Sequence, residues 1–506
     1  MMKKTLSALT GKINIEEIRG PLDRAISGFC VDSRVWQAGE MYVAQPGIHS
    51  DGHDYIDDLI KRGCRAILHS LPLSSYADDV TYLRVSDTRK ALSPISAEFY
   101  DHPSGKLKVI GITGTDGKSS TVSFTHQLLG LLGKKAGFIS TVEYQTGETV
   151  EKNPYRMSTP ESFEVHKLMH DMIASGKEYA VIESTSHGLS SKNARLADVN
   201  YLTAVLTNVT HEHLEFHGTI EQYAYDKSNL FRQLHEFQGT PPTAIIRYEE
   251  PFSHTFKNAF TGHWLTYSAE HTEADAYAAD IQESNEGISF ILRYRNECFP
   301  CFIPLAGLFN VQNVLAAFLS VVSATGESPK SITTVMPRLH GVTGRMETVS
   351  CGQKFKAIVD YAHSPGSFEK ILPQIRSTTK GRLILLFGSA GERDTAKRPI
   401  QGKIAAAYSD IIVLSDEDPR GEEGMAILTD IAKGCAGKIE GKTLFLIPDR
   451  CEGILKALSL AEPYDTVMFL GKGHESTIIY KDHKLPWNEA SEVKNALQKL
   501  GYTSVQ

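Results

Sequence analysis

Among 506 residues there are only seven cysteines, an odd number scattered along the chain. That excludes a disulfide framework and fits free thiols in a reducing compartment. One close pair, Cys298 and Cys301, has the spacing of half a metal site. No second pair or nearby histidine completes four ligands, so the segment reads as packing in a β-hairpin. The sequence lacks any run of about 18 apolar residues, and no membrane span is expected. Met1-Met2-Lys3-Lys4 starts basic, but Gly11-Lys12 arrives before an apolar stretch of signal length. No export signal is read, and a cytoplasmic location is expected. A basic excess is also missing, since 53 Lys and Arg against 60 Asp and Glu leave a net charge of −7. No nucleic-acid partner is expected, because phosphate neutralisation needs clustered cations. Any phosphate site must be local, built from backbone amides and a few placed cations.

What is present describes an ordinary globular protein, 41% hydrophobic and 22% charged, without short-period repeats or low-complexity tracts. At roughly 100 to 200 residues per domain the length suggests about three domains. The turn Pro103-Ser104-Gly105 reads as a linker. Leu107 to Ile112 is a β-branched run entering a glycine-rich loop, followed by an apolar-periodic stretch from Thr121 to Leu132 that predicts a helix. Apolar runs at Tyr179–Ile182 and Leu202–Leu206 continue the alternation and predict parallel strands in a covered sheet. From about residue 341 it restarts, with strands expected at 357–359, 383–387, 411–414, 444–447 and 467–470. The expected fold is α/β in three domains. These are an N-terminal α/β domain over 1–105, a central phosphate-loop domain with a mostly parallel sheet over 106–338, and a C-terminal Rossmann-like doubly wound domain over 339–506.

The most specific motif runs from Gly111 to Ser120, Gly-Ile-Thr-Gly-Thr-Asp-Gly-Lys-Ser-Ser, between a predicted strand and a predicted helix. In such a loop the backbone N–H groups of Gly114, Thr115, Asp116, Gly117, Lys118, Ser119 and Ser120 curl around phosphate oxygens. The helix start adds its positive dipole end, Lys118 reaches the terminal phosphates, and Ser119 is placed to hold Mg²⁺. Ile112 stands where the strict pattern has its first glycine, so the loop is a variant. The motif points to ATP without naming a reaction, since kinases, ATPases and ligases share it.

With this loop, Asn208-Val-Thr-His-Glu-His-Leu-Glu-Phe-His-Gly-Thr219, Tyr225-Asp-Lys-Ser228 and Ser158-Thr-Pro-Glu-Ser162, the chain resembles the Mur ligases over essentially its whole length. Within them it resembles the enzymes that add the third residue of the peptidoglycan stem peptide. The resemblance implies a metal set of Ser119, Glu183, His213 and Lys227 for two Mg²⁺ ions, with Lys227 carrying a carbamate derived from CO₂. Lys118, Lys227 and His213 are the implied catalytic residues. Asp116 replaces the usual Asn of the loop and Ser119 the usual Thr, while Glu212 stands where the family has Asp. By the same resemblance Ser33 in Val31-Asp-Ser-Arg34 contacts a UDP moiety, and Ser158, Thr159, Thr185, Ser186 and Arg195 meet the peptide end of the nucleotide substrate. Read alone, Ser158–Ser162 is a helix N-cap with a capping box, and His187 a satisfied structural histidine. Asn310, Arg345, Asp360 and His363 are the implied further nucleotide contacts.

In the C-terminal part, Arg393, Asp416, Asp418, Arg420, Gly471 and Glu475 follow predicted strands at their carboxyl ends, where ligands gather in open α/β sheets. The resemblance makes them the site of the incoming amino acid. Diaminopimelate-adding relatives carry Asp-Asn-Pro-Arg; here Arg420 is kept, but Glu417 and Asp418 occupy the first two positions. The added carboxylate favours an incoming ammonium and disfavours a distal carboxylate unless Arg420 neutralises it. A diamino acid is expected, with diaminopimelate, lysine and ornithine left open.

The implied reaction joins a free amino acid to UDP-N-acetylmuramoyl-L-alanyl-D-glutamate through an acyl phosphate, in a monomeric enzyme. Two alternatives stand beside it. One is a folylpolyglutamate-synthase-like ligase, which the N-terminal segment argues against. The other is a nucleotide-binding regulator without turnover, which the retained Lys118, Glu183, His213 and Lys227 argue against.

Overall fold

The computed structural model describes residues 2–47, 50–154, 157–210, 212, 214–284 and 286–503. The chain divides into two compact units. The first comprises residues 1–279, 292–299 and 312–335, and the second residues 280–291, 300–311 and 336–506.

The first unit opens with a five-stranded sheet of β1 (Glu17–Arg19), β2 (Gly28–Cys30), β3 (Glu40–Val43), β4 (Ala66–His69) and β5 (Thr81–Arg84), ordered β1-β5-β4-β3-β2. Only β1 is antiparallel to its neighbour. Helix α1 (Thr88–Phe99) is capped by Asp87, whose side chain accepts from the N–H groups of Arg89 and Lys90. Its Leu92, Ile95 and Phe99 pack with Phe29, Met41 and Leu83 as the core of one face.

The following sheet contains β6 (Lys108–Thr113), β7 (Ala136–Ile139), β8 (Tyr179–Glu183), β9 (Thr203–Leu206), β10 (Thr243–Arg247) and β11 (His263–Ser268). Their order is β7-β8-β6-β9-β10-β11 and every one of these pairs is parallel. The inner strands β8, β6 and β9 are mostly apolar and buried because both faces are covered. Helix α2 (Lys118–Leu131) follows β6, while α3 (Ser162–Ala174) and α4 (Ile220–Arg232) bury Val165, Met169, Met172, Tyr223 and Phe231 in the core of one face. Helix α2 starts three residues before the apolar period of the sequence does. Its first turn is Lys118-Ser119-Ser120, polar residues that carry no periodic signal. The capping box of α3 also differs from expectation. Glu161, not Ser158, is the N-cap, and its N–H donates to Glu164 Oε2 at 2.9 Å. Pro160 keeps the residue before it extended, so a helix does not begin at Ser158.

The second unit holds β12 (Lys356–Asp360), β13 (Leu383–Phe387), β14 (Ile411–Leu414), β15 (Leu444–Leu446) and β16 (Thr466–Leu470) in the order β12-β16-β13-β14-β15, all parallel. Helices α5 (Pro365–Thr378), α6 (Lys397–Tyr408) and α7 (Gly424–Ala432) cover one face through Phe368, Leu372, Ala405 and Leu428. Helices α8 (Arg450–Ser459) and α9 (Glu489–Lys499) cover the other through Ile454, Leu458, Val493 and Leu497. This is the doubly wound sheet read from the alternation. All seven cysteines are free thiols, and Cys298 and Cys301 lie on the strand Glu297–Ile303.

Candidate active site

The carboxyl end of β6 runs into the phosphate loop, and two glycines there have backbone that only glycine adopts freely. Gly114 has φ 150° and Gly117 φ 79°. Space forbids a side chain as well: a Cβ on Gly114 would lie 1.8 Å from Thr207 Oγ1, and one on Gly117 2.4 Å from Asn313 Oδ1. The loop is tied to the next strand end, with Thr115 N–H donating to the Asn208 carbonyl at 2.8 Å and Asp116 N–H to Asn208 Oδ1 at 3.0 Å. Lys118 Nζ donates to the Thr115 carbonyl at 2.8 Å, folded back over its own loop. Thr207 and Asn313 brace this loop from sequence-distant positions, and glycine alone gives no hint of them.

Ser119 donates its hydroxyl to Glu183 Oε2 at 2.9 Å. Glu183 is 1% exposed and also accepts from Ser140 Oγ, Thr141 N and Thr141 Oγ1 at 2.9 to 3.0 Å. Hydroxyl and carboxylate oxygens side by side are the hard donor set that Mg²⁺ takes. Among the described residues no three His, Cys, Asp or Glu side chains cluster as a metal cage. His213 lies outside the described residues.

Lys227, on the inner face of α4, is 1% exposed. Its Nζ donates to the Gly114 carbonyl at 2.7 Å and sits 4.1 Å from the Tyr223 ring centroid. Burial, and then the nearby Lys118 charge, push this amine well below the ordinary lysine range. The three residues Lys118, Ser119 and Lys227 therefore converge on one loop, with Glu183 beside it.

The expected peptide contacts fall into two groups. Thr159 and Thr185 meet hydroxyl to hydroxyl at 2.8 Å, and Arg195 reaches the Thr159 carbonyl at 3.3 Å. Arg195 is also paired with Glu161 at 2.8 Å, a partner that sequence reading did not give it. Ser186 instead joins a buried set, its hydroxyl 3.1 Å from His217 Nε2, whose Nδ1 is 2.7 Å from Asp226 Oδ2. Ser158 is half-buried beside Thr159. His187 packs at a tilt against Phe216, 4.2 Å between ring centroids. Ser33 is half-buried in the five-stranded domain, its carbonyl accepting from Arg62 at 2.6 Å.

In the second unit Asp360 accepts from the Met346 and Ala362 N–H groups at 2.8 Å, and burial raises its carboxyl against the pull of Arg345. The Arg345 guanidinium lies 4.8 Å from the Tyr361 ring centroid, and that ring meets those of His363 and His474 at 4.7 Å each. Burial holds His474 down to about 3. Asn310 donates from Nδ2 to the Ala306 carbonyl at 2.7 Å.

At the ends of β14 and β16, Asp418 Oδ1 accepts from Lys472 Nζ and Ile479 N, both at 2.9 Å, and Lys472 also pairs with Glu475 at 2.5 Å. Lys472, fully buried, thus offsets the charge that Asp418 adds to the motif. Glu417 stands in place of a like-charged Asp, and its buried Oε2 has no hydrogen-bond partner among the described residues. Asp416 is pushed up to about 6 by burial, against the pull of Arg450. Arg420 is held by its N–H to the Ile479 carbonyl at 2.9 Å, and Arg393 is exposed. Gly471 directly follows β16, and a Cβ there would lie 2.7 Å from Glu417 Oε2.

The chain is 46% identical over 505 residues to the UDP-N-acetylmuramyl-tripeptide synthetase of Borreliella afzelii, covering 99% of both. The chain belongs to the Mur ligase family. The descriptions "Mur ligase family, catalytic domain", "Mur ligase middle domain" and "Mur ligase, glutamate ligase domain" match residues 25–100, 112–321 and 344–473. A second Mur ligase, the UDP-N-acetylmuramyl-tripeptide synthetase of Treponema denticola, is 46% identical over 94% of this chain and 92% of its own. The UDP-N-acetylmuramoyl-L-alanyl-D-glutamate--2,6-diaminopimelate ligase of Syntrophomonas wolfei is 36% identical over 96% and 97%. A solved structure of a ligase with that same activity name superposes with TM-score 0.67 at 25% identity, covering 99% of this chain and all of that one. The MurF ligase of Thermotoga maritima, solved in complex with ADP, shares the fold with TM-score 0.61 at 18% identity over 93% and 97%.

Proposed function

We propose that this Mur ligase uses ATP to add the third amino acid, a diamino acid, to UDP-N-acetylmuramoyl-L-alanyl-D-glutamate, releasing ADP and phosphate, in peptidoglycan precursor synthesis. The observation that carries the reading is the meeting of Lys118, Ser119 and Lys227 at one phosphate loop, with Glu183 beside them, in a chain 46% identical end to end to tripeptide synthetases. A nucleotide-binding regulator needs the loop but has no use for a buried lysine at Gly114.

In the first step a D-glutamate carboxylate oxygen attacks the γ-phosphorus of ATP and the bond to the ADP oxygen breaks. Loop amides and Lys118 hold the phosphates as negative charge shifts from the attacked bond to ADP. The amine of the incoming amino acid then attacks the acyl carbon, phosphate leaves, and the amine proton is lost as the amide forms. Ser119, Glu183, His213 and carbamylated Lys227 would hold two Mg²⁺ ions, which supply charge neutralisation at the transferring phosphate. Lys227 suits carbamylation, because burial favours its neutral amine, the form whose lone pair attacks CO₂.

Thr159, Thr185, Ser186 and Arg195 would take the peptide, Ser33 the UDP moiety, and Asn310, Arg345, Asp360 and His363 the nucleotide. Residues 1–105, 106–338 and 339–506 would serve as UDP-substrate, ATP and amino-acid domains of a cytoplasmic monomer. The Glu417 Oε2, without a hydrogen-bond partner among the described residues, favours an incoming amino acid with a side-chain ammonium, and Arg393, Asp416, Asp418, Arg420, Gly471 and Glu475 frame its site. Purified protein given ATP and the UDP-linked dipeptide tests this. Phosphate release that requires both the dipeptide and a diamino acid is expected, and nucleotide binding without such release would sink it.

A further inference from the structure

Four side chains of the first unit, Gln222, Asp226, His217 and Ser186, form one polar chain, buried except at Gln222, that ends on the proposed peptide contact Ser186. Asp226, 3% exposed, receives the Gln222 side-chain amide at 3.0 Å through Oδ1 and His217 Nδ1 at 2.7 Å through Oδ2. A carboxylate only accepts, so Asp226 fixes the proton on Nδ1 and turns Nε2 toward Ser186 Oγ, 3.1 Å away. Ser186 is 2% exposed, and the Tyr223 ring packs 5.0 Å from that of His217 between centroids, its hydroxyl 3.3 Å from Thr115 Oγ1 in the phosphate loop. Lys227 Nζ lies 4.1 Å from the Tyr223 ring centroid. A hydroxyl otherwise rotates to suit any neighbour, and this chain removes that freedom at Ser186.

We propose that His217 and Asp226 are positioning residues that lock the Ser186 hydroxyl in the orientation the peptide substrate needs. The inference rests on the reading of Ser186 as a peptide contact. Thr115 does not depend on the chain for its own place, since it is held by the Asn208 carbonyl at 2.8 Å and by the Thr210 N–H at 2.9 Å. Disturbing the inner end should therefore act on the peptide and spare the nucleotide.

The test is steady-state kinetics on the full-length enzyme with Asp226→Asn, His217→Gln, Ser186→Ala and the pair Ser186→Ala/Asp226→Asn, each checked for folding by thermal melting. Asp226→Asn keeps the shape but lets nitrogen face the imidazole, forcing the proton onto Nε2 and reversing the bond to Ser186. The KM for the UDP-linked dipeptide should rise about tenfold in both relay variants, with the KM for ATP moving less than about twofold. The double variant should be no worse than Ser186→Ala alone, since neighbours acting through one group are not additive. Gln222→Ala, on the exposed side of α4, should shift the same KM in the same direction by a smaller factor, and keeps the test alive if the buried variants fail to fold. Full additivity, or an equal rise in the KM for ATP, would overturn the positioning role while leaving Ser186 as a contact. A Ser186→Ala enzyme with an unchanged KM for the dipeptide would overturn the contact itself, and the proposal with it.

Discussion

Lys227 Nζ donates to the carbonyl of Gly114 at 2.7 Å from a position 1% exposed to solvent, so a lysine 113 residues away closes the phosphate loop from behind. A solvated helix lysine would keep its full charge, whereas this one is buried beside Lys118 and its amine is pushed toward neutrality. Replacing it by methionine keeps the aliphatic bulk and removes the nitrogen. Turnover should fall by roughly 100-fold or more with little change in melting temperature, because only the group acting on the phosphates is lost. Carbon-13 NMR of enzyme equilibrated with labelled bicarbonate should show a carbamate resonance that Lys227→Met lacks.

Gly117→Ala sets a Cβ 2.4 Å from Asn313 Oδ1 at a φ of 79°, so both space and backbone oppose it. The residue directly precedes α2, and its displacement moves the N–H groups that face phosphate. ADP affinity should drop by roughly tenfold or more, corresponding to about 1–3 kcal/mol of backbone strain. Isothermal titration with ADP measures it, and unchanged affinity would mean that the loop shifts without cost.

Strands were legible wherever an apolar run is bounded by turns. Leu383–Phe387 and Ile411–Leu414 fall at the expected residues because strands buried on both faces are written as unbroken apolar runs. Helix starts were less legible, as Lys118-Ser119-Ser120 shows: functional polar residues occupy the first turn of α2. The phosphate loop could be read because its chemistry is contiguous. The relay through His217 and Asp226, and the pairing of Lys472 with Asp418, join residues that only folding brings together, and no spacing announces them. The pair Arg195 and Glu161 was hidden in the same way.

His166 lies on α3, is 0% exposed, and neither ring nitrogen has a hydrogen-bond partner among the described residues. Burial depresses its pKa from 6.5 to about 3. Between these values the unfolded chain binds a proton that the folded chain refuses, so stability falls as pH drops through this window. At about 1.4 kcal/mol per pH unit, this one residue removes roughly 2 kcal/mol between pH 6.5 and pH 5. His166→Leu should leave stability at pH 7 equal or slightly higher and flatten the acid limb. Urea midpoints at pH 7 and pH 5 check this: an equal acid loss in both proteins would assign the effect elsewhere.

Arg450 and Glu489 form a fully buried pair, with Nη2 2.6 Å from Oε1 and Nε 2.9 Å from Oε2. The same guanidinium donates at 2.9 Å to the carbonyls of Asp416 and Leu470, just beyond β14 and at the end of β16. Those strand ends carry the two halves of the proposed amino-acid site, so one buried cation sets the distance between them. Trp487 Nε1 completes the set by donating to Glu489 Oε2 at 2.6 Å. Glu489→Gln leaves the guanidinium without its counter-charge and should destabilise the protein by about 3–5 kcal/mol, the cost of breaking a buried pair from one side. At a temperature where the variant is still folded, the KM for the incoming amino acid should rise by about tenfold while that for ATP changes less than about twofold. If both constants move together, the pair supports the fold in general and does not set the spacing of the amino-acid site.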